Sequence, residues 1–116
     1  ALVRAKFCEY MELYFDPNQA KSEAYLTGLL SMIAPILKTT PSMIIPKLPI
    51  SESMKDALLE HSGKLGLYLK ICELYEKGNW REVELFSEEL GLSMDLIGDA
   101  YHKAIKWHAD NPITAN

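Results

Sequence analysis

The sequence predicts an all-α fold, a compact array of about six or seven short helices in a single domain over residues 1–116. Three observations lead there. Apolar residues recur at three- and four-residue steps along most of the chain, the spacing that puts them on one face of a helix. Serine, threonine and asparagine caps alternate with glycine and proline stops at intervals suited to helices of ten or so residues. No segment shows the polar/apolar alternation of a half-buried strand.

In the first helix Val3, Phe7, Met11 and Tyr14 form a ridge, with Arg4, Lys6, Glu9 and Glu12 on the other faces, and Asp16-Pro17 ends it. The second carries Leu26, Leu29, Leu30, Ile33 and Leu37 on one face and starts at either the Asp16-Pro17 cap or Ser22. Gly28 lies inside this apolar run, where no turn calls for it. Glycine there costs about 1 kcal/mol against alanine, so the position is expected to touch a neighbouring backbone closely. Pro35 should kink or finish the helix.

A short helix follows with Thr40 as N-cap and Pro41 as first residue, limited by Pro46 and Pro49. Ser51 caps a helix through His61, Gly63 opens a connection, and Leu65 to Lys77 form a helix that stops at Gly78. That helix has Leu67, Ile71 and Leu74 on one side and Tyr68, Cys72 and Tyr75 on the other, so it should be central to the core. Asn79 with Glu82 resembles a capping box for a helix that buries Val83, Phe86 and Leu90 and ends at Gly91. Ser93 caps the last helix, Leu92 can staple onto Ile97, and the buried face runs Ile97, Ala100, Tyr101, Ala104 and Trp107.

Composition narrows the function classes. A hydrophobic content of 48% with 24% charged residues is that of a globular protein and argues against disorder or a disulfide scaffold. Cys8 and Cys72 lie in helical segments without a CxxC pair, which reads as buried thiols in a reducing, cytoplasmic compartment. The longest apolar run, Leu29 to Leu37, is interrupted by Ser31 and Pro35 and falls short of the ~20 residues that span a bilayer, so no membrane segment is expected. A net charge of -4 with scattered lysines speaks against nucleic acid as a partner. The opening ALVRAKF lacks a signal-peptide core and starts in mid-period, from which we expect the chain to begin inside a larger protein. A first helix without its native cover would expose an apolar face, and a homo-oligomer is the expected consequence.

The motifs of catalysis are mostly absent. The chain has no GxSxG elbow, no GxxxxGK[ST] loop and no HExxH helix. None of His61, His102 and His108 is followed by aspartate, as an HD-type phosphohydrolase would require. Asp95, Asp99 and His102 share one face of the last helix and could offer ligands to a divalent cation, but acids early in a helix favour its positive end and need no metal to explain them. Glu73 with Glu76, and Glu88-Glu89, read as a charged exterior rather than as acid/base pairs. Trp80 and Trp107 suit partial burial, Trp80 being the more exposed. No catalytic, cofactor-binding or metal residue is assigned, and no cofactor is expected.

Arg4-Ala5-Lys6-Phe7-Cys8-Glu9, Ala24-Tyr25-Leu26-Thr27-Gly28-Leu29-Leu30-Ser31 and Leu48-Pro49-Ile50-Ser51 resemble, in order, the C-terminal part of HDOD domains, the HD-related output domains. Ala57-Leu58-Leu59 before Gly63-Lys64-Leu65-Gly66 continues the resemblance, and Tyr101, Ala104, Trp107 and Ala109 look like the closing YxxAxxWxA pattern. The match runs through nearly the whole chain and is most similar to the HDOD half of bacterial proteins with an upstream EAL phosphodiesterase domain. Pro35 departs from the pattern, where the family commonly carries a polar or acidic residue, and leaves the length of the second helix open. The resemblance implies an all-helical relative of HD hydrolases that has lost the metal ligands and serves in cyclic di-GMP signalling, with the EAL domain or other signalling proteins as partners. A metal-dependent phosphohydrolase fragment and a generic helical adaptor, with a groove along the helix pair from Trp80 to His108, are the alternatives.

Overall fold

Helix α1 (Leu2–Phe15) runs through the middle of the molecule. The structure is a computed structural model and describes residues 2–17 and 23–111. The remaining elements are α2 (Glu23–Leu30), α3 (Ile33–Ile36), α4 (Pro41–Ile44), a 3₁₀ turn (Ile45–Lys47), α5 (Glu52–Glu60), α6 (Gly63–Glu76), α7 (Trp80–Leu90) and α8 (Met94–Asp110). No strand occurs among the described residues, and the fold is all-α. Six of the helices have eight residues or more, while α3 and α4 are single turns.

The first helix corrects one expectation. Its ridge of Phe7 and Met11 is fully buried, but Ala5 and Cys8 are too, and no side chain from Leu2 to Tyr14 is exposed. Packing by α2, α6 and α8 from different sides accounts for this. The uncovered face expected for α1 is therefore filled by the chain's own later helices, and Arg4, Lys6, Glu9 and Glu12 are half-buried rather than solvated.

The second helix corrects another. Its buried face is Ala24, Thr27 and Gly28, whereas Leu26 and Leu37 are exposed and Leu29, Leu30 and Ile33 are only half-buried. The reason is the proximity of α1. A Cβ built on Gly28 would lie 2.7 Å from Ala5 Cα and 2.8 Å from the Arg4 carbonyl oxygen, so only glycine fits at the crossing. Small residues let the two backbones meet, which leaves Leu26 at the surface while Leu30 and Ile33 pack along the edge of the core. The close contact expected of Gly28 is present.

Pro35 acts as expected, one turn early. The α2 ladder ends at Leu30, the Met32 amide donates instead to the Leu29 carbonyl at 3.3 Å, and α3 restarts at Ile33. Proline at 35 has no N–H for the Ser31 carbonyl and its ring crowds that carbonyl, so a continuous helix is not available. Of the two starts considered for α2, Ser22 lies outside the described residues.

Elsewhere the punctuation acts largely as expected. Ser51 Oγ accepts the Met54 amide at 3.3 Å, Ser93 Oγ accepts the Leu96 amide at 3.2 Å, and Asn79 accepts Glu82 N–H while donating to its carboxylate at 3.0 Å. Thr40 precedes Pro41 in extended conformation. Helix α6 starts at Gly63, two residues before the expected Leu65, because His61 turns the chain in the left-handed region (φ 54°) and only Ser62 is needed as a link. The tight turn lays the His61 backbone against α6. A Cβ on Gly66 would fall 2.2 Å from the His61 carbonyl carbon, a second position where only glycine fits. The core itself is built on Phe7 and Met11 of α1, Tyr68, Leu69 and Ile71 of α6, Val83 of α7 and Ile97 of α8.

Candidate functional site

The polar groups of α1 and α6 meet in register. Arg4 Nη2 donates to Glu76 Oε1 at 2.8 Å, and eight residues along each helix the Tyr68 hydroxyl donates to Glu12 Oε1 at 2.7 Å. Positions 4, 8 and 12 lie on one stripe of α1 and positions 68, 72 and 76 on one stripe of α6, since four residues make roughly one turn. The helices thus run antiparallel, with Cys8 and Cys72 between the two polar ends.

Arg4 is the hub of the outer end. Its Nη1 donates to Ser31 Oγ at 3.2 Å and stands 3.7 Å from Glu73, whose other contact is His61 Nε2 at 3.2 Å. Burial lowers the Arg4 pKa, but Glu76 together with Cys72 and Glu73 outweighs it and holds the guanidinium above its usual value. Glu73 and Glu76 were expected to form part of a charged exterior. Glu76 is exposed as expected, whereas Glu73 is half-buried, and Arg4 and His61 engage their oxygens in an ionic junction joining α1, the end of α2, the α5–α6 turn and α6. Sequence periodicity put Arg4 on a polar face, and no local signal tells that this face meets another helix.

In the seam itself burial pushes the Cys8 thiol up to about 12, against the opposing pull of Arg4. Burial also raises Cys72, reinforced next by Cys8 and Glu76. Tyr68 is raised by burial and then by its hydrogen bond to Glu12. All three are kept protonated at neutral pH, which makes the thiols poor nucleophiles in the closed fold.

A second cluster surrounds Lys6. Its ammonium pairs with Glu9 at 2.6 Å and lies 4.9 Å from the Trp107 ring centre, 5.1 Å from Tyr10 and 6.0 Å from Tyr25. These rings come from α1, α2 and α8, so the lysine ties three helices together through cation–π contacts. Trp107 is half-buried in this role. Trp80 is 53% exposed and meets Tyr75 edge-on at 4.8 Å, the ordering expected of the two tryptophans.

A cleft of about 350 Å³ is lined by Glu12, Glu23, Ser53, Asp56, Ser62 and Lys64, together with Ala24, Gly63 and Leu65. Sequence reading did not anticipate it, because its walls come from α1, α2, α5 and the start of α6. Several of its polar groups serve the fold: Glu12 holds Tyr68, Ser62 Oγ donates to the Asp56 carbonyl at 3.3 Å, and the Lys64 ammonium sits 4.4 Å from the Phe15 ring centre.

The remaining candidates are dispersed. Asp95, Asp99 and His102 are exposed on α8, and Asp99 pairs with Lys103 at 3.1 Å. Among the described residues no three His, Cys, Asp or Glu side chains are placed to hold a metal ion. Glu88 and Glu89 are exposed on α7. No single described helix is long and apolar enough to cross a membrane.

The chain is similar to a segment of cyclic di-GMP phosphodiesterase CdgJ. The match to that Vibrio cholerae serotype O1 protein is 31% identical over 110 residues and covers 95% of this chain but 26% of the relative. A second relative, the uncharacterized protein YuxH of Bacillus subtilis, is 29% identical over 109 residues, covering 92% of this chain and 25% of its own length. The chain thus spans about a quarter of the length of the curated relatives it matches. No family model matches it, and no solved structure does.

Proposed function

We propose that the chain is a noncatalytic regulatory module of the HDOD kind, acting in a cyclic di-GMP signalling protein in which an EAL phosphodiesterase domain lies upstream. The observation that carries this reading is the similarity along 95% of the chain to one quarter of a cyclic di-GMP phosphodiesterase. A segment of that size leaves ample room for a separate catalytic domain. The ionisable residues support it: Glu73 and Glu76 are bound to Arg4 and His61, and Asp99 faces a lysine. Each has a structural partner, and the module's work in this reading is to transmit state through helix packing. The Arg4 junction suits such a role because it links four segments at one point. The reading places the protein in the cytoplasm, where the messenger is.

The test compares cyclic di-GMP hydrolysis by a parent protein with its EAL domain, by that EAL domain alone, and by the parent carrying Arg4→Ala in the module. Rates that differ between the intact protein and the isolated EAL domain, and shift on Arg4→Ala, are expected. Equal rates in all three would refute the regulatory role.

A further inference from the structure

We propose that Cys8 and Cys72 form a dithiol that closes into a reversible disulfide across the α1–α6 seam when a peroxide reaches it. The geometry rests on two hydrogen-bonded pairs, Arg4–Glu76 at 2.8 Å and Glu12–Tyr68 at 2.7 Å, which bracket the cysteines by four residues on either side of both helices. Antiparallel helices pinned at both ends bring their midpoints to the same level, and those midpoints are Cys8 and Cys72. Both are free thiols buried in the same core cluster. After burial, Cys8 is the neighbour that weighs most on the Cys72 thiol, ahead of the Glu76 carboxylate, which lies 3.7 Å from its sulfur.

The chemistry is balanced by one equivalent of hydrogen peroxide. One sulfur gives up its proton and, as thiolate, attacks a peroxide oxygen; the O–O bond breaks, the sulfenic acid forms, and the departing hydroxide takes up that proton as water. The second sulfur attacks the sulfenic sulfur, the S–O bond breaks, water leaves and the S–S bond forms. Two thiols lose two electrons and two protons, and the peroxide becomes two waters. Because the closed fold keeps both thiols protonated and covered, the first step waits on an opening of α1 from α6. The bond then holds α1 to α6 between the Arg4 and Glu12 junctions, so oxidation records that the seam has opened and prevents it from opening again.

The experiment treats the folded chain with hydrogen peroxide and reads intact mass, a non-reducing peptide map and the thermal midpoint. The expected product is a monomer lighter by two hydrogens, with a linked Cys8–Cys72 peptide, unchanged helical circular dichroism and a raised midpoint, all reversed by dithiothreitol. Cys8→Ala and Cys72→Ala should each abolish the mass loss. Persistence of two free thiols, addition of oxygen atoms without a link, a disulfide-bonded dimer, or an oxidised monomer with a lowered midpoint would each overturn the proposal. The wild-type peptide map decides the matter even where an alanine variant does not fold.

Discussion

Gly28 of α2 sits so close to Ala5 of α1 that a methyl group on it would stand 2.7 Å from the Ala5 Cα. The obstruction is backbone, which cannot swing aside as a side chain can. Gly28→Ala gains about 1 kcal/mol of helix propensity and meets an overpacking cost of about 1–3 kcal/mol. The expected outcome in urea unfolding is a net loss of stability. Gly66→Ala, whose methyl would fall 2.2 Å from the His61 carbonyl carbon, should lose more. Equal or greater stability in both variants would show that the helices do not approach as described.

How much of this was legible beforehand depends on whether the signal was local. The caps at Ser51, Asn79 and Ser93, the stops at Gly78 and Gly91 and the buried stripe of α8 are set within a few residues, and the sequence discloses them. Gly28 announced a close contact because it was out of place in an apolar run. Its partner could not be read, since Ala5 is distant in sequence. The same limit explains the shifted face of α2: periodicity assumes that the largest apolar residues are the deepest, and at a glycine crossing Ala24, Thr27 and Gly28 are deeper than the leucines. The pairing of Glu73 and Glu76 with Arg4 had no local signature because Arg4 is 72 residues from Glu76. The cleft, with walls from four helices, had no linear signature at all.

Arg4→Ala should destabilise the fold by about 1–3 kcal/mol, between the values for surface and buried ion pairs, because it leaves the half-buried Glu73 and the exposed Glu76 without their shared cation. Combining it with Glu76→Gln should cost less than the sum of the single changes. A double-mutant cycle by chemical denaturation measures the coupling, and strict additivity would show that the 2.8 Å contact contributes nothing.

Thr27 is fully buried on α2, and its hydroxyl has no hydrogen-bond partner among the described residues. Valine has nearly the same shape without the unpaired polar atom. Thr27→Val is expected to stabilise the protein by about 1 kcal/mol, read as an increased midpoint in thermal or urea unfolding. A loss of similar size would mean that the hydroxyl is satisfied in solution.

Alkaline pH should weaken the fold through its thiols. Cys8 titrates near 9 when unfolded and is pushed up to about 12 by burial in the native state. Its contribution is fully present below pH 9. As pH rises from there towards 12 the unfolded chain releases the proton and the folded one keeps it, so stability falls. The slope attributable to Cys8 is about 1 kcal/mol per pH unit. Cys8→Ala should flatten the decline, and an identical pH profile in wild type and variant would contradict the burial of the thiol.

The central claim is that these helices form a scaffold without a hydrolytic centre of their own. The most direct measurement incubates the purified chain with cyclic di-GMP and magnesium or manganese and quantifies the linear product by chromatography. The account predicts no product above the protein-free control. Turnover proportional to the chain's concentration and abolished by substituting one of its own acidic residues would contradict it.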